Sequence, residues 1–190
     1  MNYQGFIKQL ELITETIGRV TTVFTFLIML LTFSVVIMRY GFQTGTLSLF
    51  DITISSIAMQ ESVMYLHSML FMLASAYTLK HDGHVRVDVF YRRFSPRAKA
   101  WVDLFGSLFL LMPVAIFIVW SSWDFVEFAW KIKEKSQEAE GLPWVWLLKA
   151  MIPAMGGLLI FQGLLEALKN MLFLAGKHPA PSENHAAEGL

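Results

Sequence analysis

The sequence predicts an all-α integral membrane protein of four transmembrane helices, with both termini cytoplasmic and an amphipathic helix at the N-terminus. Three observations predict it. Of 190 residues, 55% are hydrophobic and 16% charged, with mean hydropathy +0.52, which is too apolar for a water-soluble domain of this length. Four apolar stretches, flanks included, reach the ~20 residues that a helix needs to cross a ~30 Å hydrocarbon core. Finally, the charges cancel overall but are unevenly placed. The short loop 80–99, KHDGHVRVDVFYRRFSPRAK, holds six of the fifteen Lys and Arg: Lys80, Arg86, Arg92, Arg93, Arg97 and Lys99.

Residues 1–19 place Phe6, Leu10, Ile13 and Ile17 near the helical period, with Lys8, Glu11 and Glu15 off that line. This reads as an amphipathic helix lying at the membrane surface or leading into the first span. Residues 20–38 are 19 uncharged residues between Arg19 and Arg39. The run is longer than a signal-peptide core and has no small-residue cleavage site after it, so it stays as span 1 (about 17–39). Gly41, Gly45 and several Thr and Ser make 40–53 a loop. The next apolar segment, 54–79, carries Glu61 and His67 as its only ionisable groups and supplies span 2 (about 55–79).

After the basic loop, Ser95 and Pro96 form a helix start. The serine side chain can cap exposed N–H groups, and a proline at the first helical position has no N–H to leave orphaned. Span 3 (about 101–124) has Pro113 inside it as an expected kink. Beyond Trp123 the pattern turns amphipathic, with Glu127 and Lys131 an i,i+4 pair, so the helix is expected to run into water until Gly141 and Pro143 end it. Span 4 (about 147–170) carries Pro153 and a close-packing face of Gly156, Gly157 and Gly163. A single membrane domain, 1–174, thus precedes a disordered cytoplasmic tail, 175–190.

Cytoplasmic loops carry the Lys/Arg excess, so the 80–99 loop sets the orientation. With it inside, the inner set also takes Lys8, Arg19, Lys169 and Lys177. The outer set is only Arg39, Lys131, Lys133, Lys135 and Lys149. Trp120, Trp123, Trp130, Trp144 and Trp146 gather at the outer ends of spans 3 and 4, as an interfacial belt does.

Chemistry is sparse. The chain has no cysteine, which excludes disulfides, thiol catalysis, iron–sulfur ligation and Cys-based zinc sites. Nothing resembles a nucleic-acid footprint. Glu61 is costly inside a membrane. It reads either as an ion-relay or intersubunit carboxylate or as half of a structural pair with Arg39 or Lys149. His67, near the middle of span 2, has no second in-span His with which to hold haem, and is expected to hydrogen-bond across a helix interface. His81, Asp82, His84 and Asp88 lie in an aqueous loop that implies no ordered fourth ligand, so no metal is assigned. Arg86 and Asp88 can pair, and Arg92, Arg93 and Arg97 can meet anionic lipid headgroups at about 1 kcal/mol each. No enzyme activity and no cofactor are expected. The interface candidates are Arg39, Glu61, His67, Lys80, His84, Arg86, Asp88, Lys131, Lys149, Pro153 and Gly156.

Two runs carry a family resemblance. QESVMYLHSMLFMLASAYTLKHDGHVRVDVFYRRFSPRAK (60–99) and GLPWVWLLKAMIPAMGGLLIFQGLLEALKNML (141–172) resemble the small, DctQ-type membrane subunit of TRAP transporters, the tripartite ATP-independent periplasmic carriers, in the mannitol/chloroaromatic-type branch. The 41–59 loop is longer than that resemblance implies. The resemblance further implies a bacterial inner-membrane, multi-pass subunit without a substrate or ion site. It would stand beside the fixed scaffold of a large, sodium-driven, elevator-type membrane subunit and help dock a periplasmic binding protein that delivers an organic anion, usually a carboxylate. The competing function is a small self-sufficient oligomeric exporter with Glu61 as its proton site.

Overall fold

The computed structural model describes residues 3–49, 52–83, 91 and 93–177. Helix α1 (Tyr3–Val36) runs without a break from the N-terminal segment into the first span and widens at its end into a π-helical turn, Ile37–Gly41, closed by Phe42 N–H to Ile37 O at 3.0 Å. A two-stranded antiparallel hairpin follows, β1 (Thr46–Leu49) with β2 (Ile52–Ser55), Thr46 facing Ser55 and Leu49 facing Ile52. The segment expected as plain loop is therefore a hairpin. The alternation TLSL and ITIS was its only signal, and four-residue strands between glycines and serines carry little of it.

Helix α2 (Ser56–Lys80) starts on Ser55, whose hydroxyl accepts from Ile57 N–H at 3.1 Å. The third rod starts as its sequence predicts. Ser95 accepts from Ala98 N–H and Pro96 takes the first turn of α3 (Pro96–Phe105). A π-helical stretch, Gly106–Leu111, joins α3 to α4 (Met112–Ile132), with Met112 N–H reaching back five residues to Ser107 O. Pro113 follows at once. It can donate no hydrogen bond, and the widened turn before it absorbs the mismatch that a proline imposes on the residues four back. Helix α5 (Val145–Leu174) completes the bundle.

Among the described residues four helical rods are long and apolar enough to cross a membrane, Ile7–Gly41, Ser56–Lys80, Pro96–Ile132 and Val145–Leu174. The third, at 37 residues, is about 55 Å long, well beyond a ~30 Å core. They alternate in direction. One end of the bundle, the terminal end, gathers the start of α1, the end of α2, α3 and the end of α5. The other, the loop end, gathers the hairpin and the 133–144 connector. Helix α2 packs between α1 and α5, and α5 packs between α2 and the third rod, so α1 and the third rod flank the layer.

The burial pattern is that of a protein solvated by lipid. The largest fully buried side chains are polar, Gln162, Asn170, Thr14 and Thr21, Gln162 being 0% exposed, whereas Trp120 is 75% exposed. In water that arrangement would be inverted. Helices close on one another through glycine. A Cβ on Gly18 would stand 2.1 Å from the Tyr77 ring, and one on Gly156 would stand 2.6 Å from Val119 Cγ2 and 3.1 Å from Ala115 O. Gly163 likewise abuts Leu111, whereas Gly157 faces open space, so the small-residue face consists of Gly156 and Gly163, seven residues apart.

The expected extension of the third rod to Gly141 does not occur. Helix α4 ends at Ile132, with Lys133 left-handed at φ 50° and Glu134 N–H donating to Ala129 O at 3.0 Å, a Schellman-type stop. Residues 133–140, KEKSQEAE, favour helix locally but contain no large apolar side chain to bury. The chain instead folds back over the bundle, where side chains of α2 and α5 hold it.

Candidate functional site

The terminal end carries an ion-pair network among three helices. Glu15 on α1 receives Lys80 Nζ at 2.8 Å, His81 Nε2 at 3.0 Å and Arg19 Nε at 3.0 Å. Lys169 on α5 reaches Glu11 Oε1 at 2.8 Å and Glu166 Oε1 at 2.7 Å, its side chain 8% exposed. Gln162 adds a further tie between α5 and α1. It accepts from Thr14 Oγ1 at 2.9 Å and donates to Glu166 Oε1 at 3.0 Å. Glu11, Thr14 and Glu15 of the N-terminal segment therefore point into the bundle together with Ile7, while Lys8, Leu12 and Ile13 point out. This reverses the surface-lying alternative, because α1 finds cations on α2 and α5 that its own sequence does not reveal. Lys80, read as a loop charge, is buried in the same network.

At the loop end Glu61 is the organising group. Its carboxylate accepts from the Ser136 hydroxyl and, at 2.6 Å, from Leu142 N–H. Ser136 N–H in turn donates to Leu142 O at 3.1 Å, and Trp146 N–H to Glu134 O. Gly141 is required there, since a Cβ would stand 2.3 Å from Ser136 Oγ and 2.7 Å from Glu61 Oε1. Glu61 thus pairs with neither cation expected for it. Lys149 goes to Glu134 at 2.6 Å and lies over the Phe125 ring, and Arg39 stands within 3.1 to 3.4 Å of the Gln60 amide oxygen and the Ser56 hydroxyl. The hydrogen-bond network assigns that amide orientation. The connector instead places the Ser136 hydroxyl and the Leu142 N–H on Glu61, and each cation is engaged by another partner. Trp130 and Trp146 meet edge to face at 4.3 Å, with the Lys133 ammonium over both rings.

The other candidates divide clearly. Lys131 pairs with Glu127 on the exposed face of α4, as the spacing predicts. Pro153 lies inside α5 and removes the helical donor to the Lys149 carbonyl, four residues back. Gly156 packs closely against Ala115 and Val119 of α4. His67 makes no cross-helix hydrogen bond among the described residues. It faces outward, stacked on Phe71. His84, Arg86 and Asp88 lie outside the described residues. Among the described residues no group of three or more His, Asp or Glu is placed to hold a metal ion. Sequence reading missed Glu11, Thr14, Gln162, Glu166 and Lys169 as partners. Their signal was the spacing of Gln162, Glu166 and Lys169, which lie on one face of an otherwise apolar helix.

A bundle of four lipid-solvated rods, its carboxylates engaged at both ends, agrees with the family comparison. Residues 28–172 match the family model described as tripartite ATP-independent periplasmic transporters, DctQ component. The chain belongs to the DctQ family. Neither the curated proteins nor the solved structures contain a match to it. This DctQ chain is the small component of a TRAP transporter and a multi-pass membrane protein. The matched region takes in the Glu61 clamp and all of α5 up to Leu172, and begins at Ile28, after the α1 residues that feed the terminal network.

Proposed function

We propose that this chain is the stationary, non-catalytic small permease subunit of a TRAP transporter of the mannitol/chloroaromatic-type branch. It stands in the bacterial inner membrane with both termini cytoplasmic and supports a large elevator-type subunit. That large subunit would drive sodium-dependent uptake of an organic anion, a carboxylate, delivered by a periplasmic binding protein. One observation carries the reading. The membrane-embedded and flanking carboxylates Glu11, Glu15, Glu61 and Glu134 each hold helices or the connector together, and Glu166 orients Lys169 and Gln162 on α5 toward their partners on α1. A scaffold needs such fixed pairs, whereas a proton or ion relay needs a carboxylate able to change partners.

The reading makes the terminal end cytoplasmic, by the Lys/Arg excess of the 80–99 loop, and the loop end periplasmic. The mixed charges of the connector, Lys133, Lys135, Glu138 and Glu140, then face the binding protein, where they steer encounter without adding large affinity. The test is reconstitution in vesicles. Uptake is expected only with the large subunit and binding protein present, and the small chain should co-purify with the large one in one-to-one ratio. Solute movement driven by this chain alone, as homodimers, would establish the exporter and overturn the scaffold. Charge reversal at Lys133 and Lys135 should slow uptake by weakening capture of the loaded binding protein. Unchanged uptake would remove the connector from the docking surface.

A further inference from the structure

One line of α2 is left outside the bundle. The positions of Ser56–Lys80 turned fully outward are Gln60, Met64, His67 and Phe71, spaced four, three and four residues apart, so they form a continuous stripe. Met64 is 51% and Phe71 71% exposed, and the imidazole stacks on the Phe71 ring with centroids 5.9 Å apart and planes at 17°. At its loop end the stripe runs into an open groove between α1 and α2, lined by Val35, Val36, Arg39, Gln60 and Val63.

His67 decides what covers the stripe. It is the twelfth of 25 residues, roughly 16 Å along the helix from its start and so near the middle of the span. Among the described residues it is the only ionisable side chain exposed within the apolar core of a span. Exposed hydroxyls such as Thr22 and Ser121 bond to carbonyls of their own helix, which an imidazole does not do here. A neutral imidazole keeps one N–H donor and one acceptor nitrogen in every tautomer, and hydrocarbon satisfies neither. Ionisable groups in spans accordingly face protein or water and not lipid. The outward faces of α1 and the third rod differ. They present Phe26, Phe33, Leu110 and Phe117, which lipid solvates without cost.

Resting on the scaffold reading above, we infer that the Gln60–Met64–His67–Phe71 stripe is the seam at which this subunit meets a membrane-spanning helix of the large subunit. The depth of His67 excludes a water-soluble binding protein as occupant. The chemistry facing the stripe is a hydrogen-bonding side chain or a kinked-helix carbonyl opposite His67, with small residues opposite Met64 and Phe71 that let the two backbones approach.

The test places a benzophenone amino acid at Met64, His67 or Phe71, and for reference at Phe26 or Phe117, in the full chain co-expressed with its large subunit. Illumination should give adducts to the large subunit from the stripe and lipid adducts alone from the reference positions. His67→Leu should lower recovery of the large subunit about 3- to 30-fold, the range of one hydrogen bond between membrane helices, while His67→Gln retains most of it. The melting of the small subunit alone should be unaltered in both. If the complex forms but the stripe gives lipid adducts, or adducts to a second copy of this chain, the seam is elsewhere and the scaffold reading stands. If the unaltered chain recovers no large subunit, both fall.

Discussion

The two ends of the bundle are held by different means. At the terminal end, side-chain charges far apart in sequence join α1, α2 and α5, with Thr14 and Gln162 separated by 148 positions. At the loop end Glu61 on α2 and Lys149 on α5 hold one short connector, through its Ser136 hydroxyl, its Leu142 N–H and its Glu134 carboxylate. The first arrangement fixes which helices are neighbours. The second fixes the shape of one surface. The scaffold role proposed above needs both.

The largest effect is expected where a buried charge loses its partner. Lys169→Met leaves Glu11 and Glu166 facing each other without a cation and should destabilise the folded subunit by about 3–5 kcal/mol, read by thermal unfolding in detergent. Adding Glu11→Gln should restore part of that loss. If Lys169→Met alone melts like the unaltered chain, the terminal end is not the lock described.

Gly18→Leu tests the same end by packing. The Tyr77 ring occupies the space that the new side chain needs, so a cost of about 1–3 kcal/mol is expected, and Tyr77→Ala in the same chain should relieve it. Relief absent would mean that α1 and α2 separate instead of crowding.

Glu61→Ala should cost about 1–3 kcal/mol, but locally, because it leaves the Leu142 N–H without its acceptor. Faster protease cleavage between 133 and 144 with little change in global melting would sharpen the contrast between the two ends. Glu61→Gln keeps an acceptor and should assemble normally. If it assembles yet abolishes sodium-dependent uptake, Glu61 works in ion coupling and the structural account of it fails. The smallest effect belongs to Lys131→Ala, within about 0.5 kcal/mol, since its pair with Glu127 is solvent-exposed. A larger loss in the complex would place that face of α4 in an interface.

Much of the fold was legible residue by residue. The apolar runs announced the four rods, Ser95 and Pro96 announced a helix start, and the spacing of Glu127 and Lys131 announced their pair. The partners of Glu61, the inward turn of Glu11, Thr14 and Glu15, and the outward turn of His67 were not legible. In a water-soluble helix an apolar stripe marks the buried face. Here the spans are apolar over most of their circumference, so periodicity gives little direction to their rotation, and the few polar positions that share a face, such as Gln162, Glu166 and Lys169, do not name their partners.

Membrane residence and the number of spans are properties of local composition, and the sequence by itself determined these. Which helix face meets which neighbour was decided only by the tertiary structure. A handful of polar groups must find one another across different rods, and a partner 148 positions away leaves no mark on the local pattern.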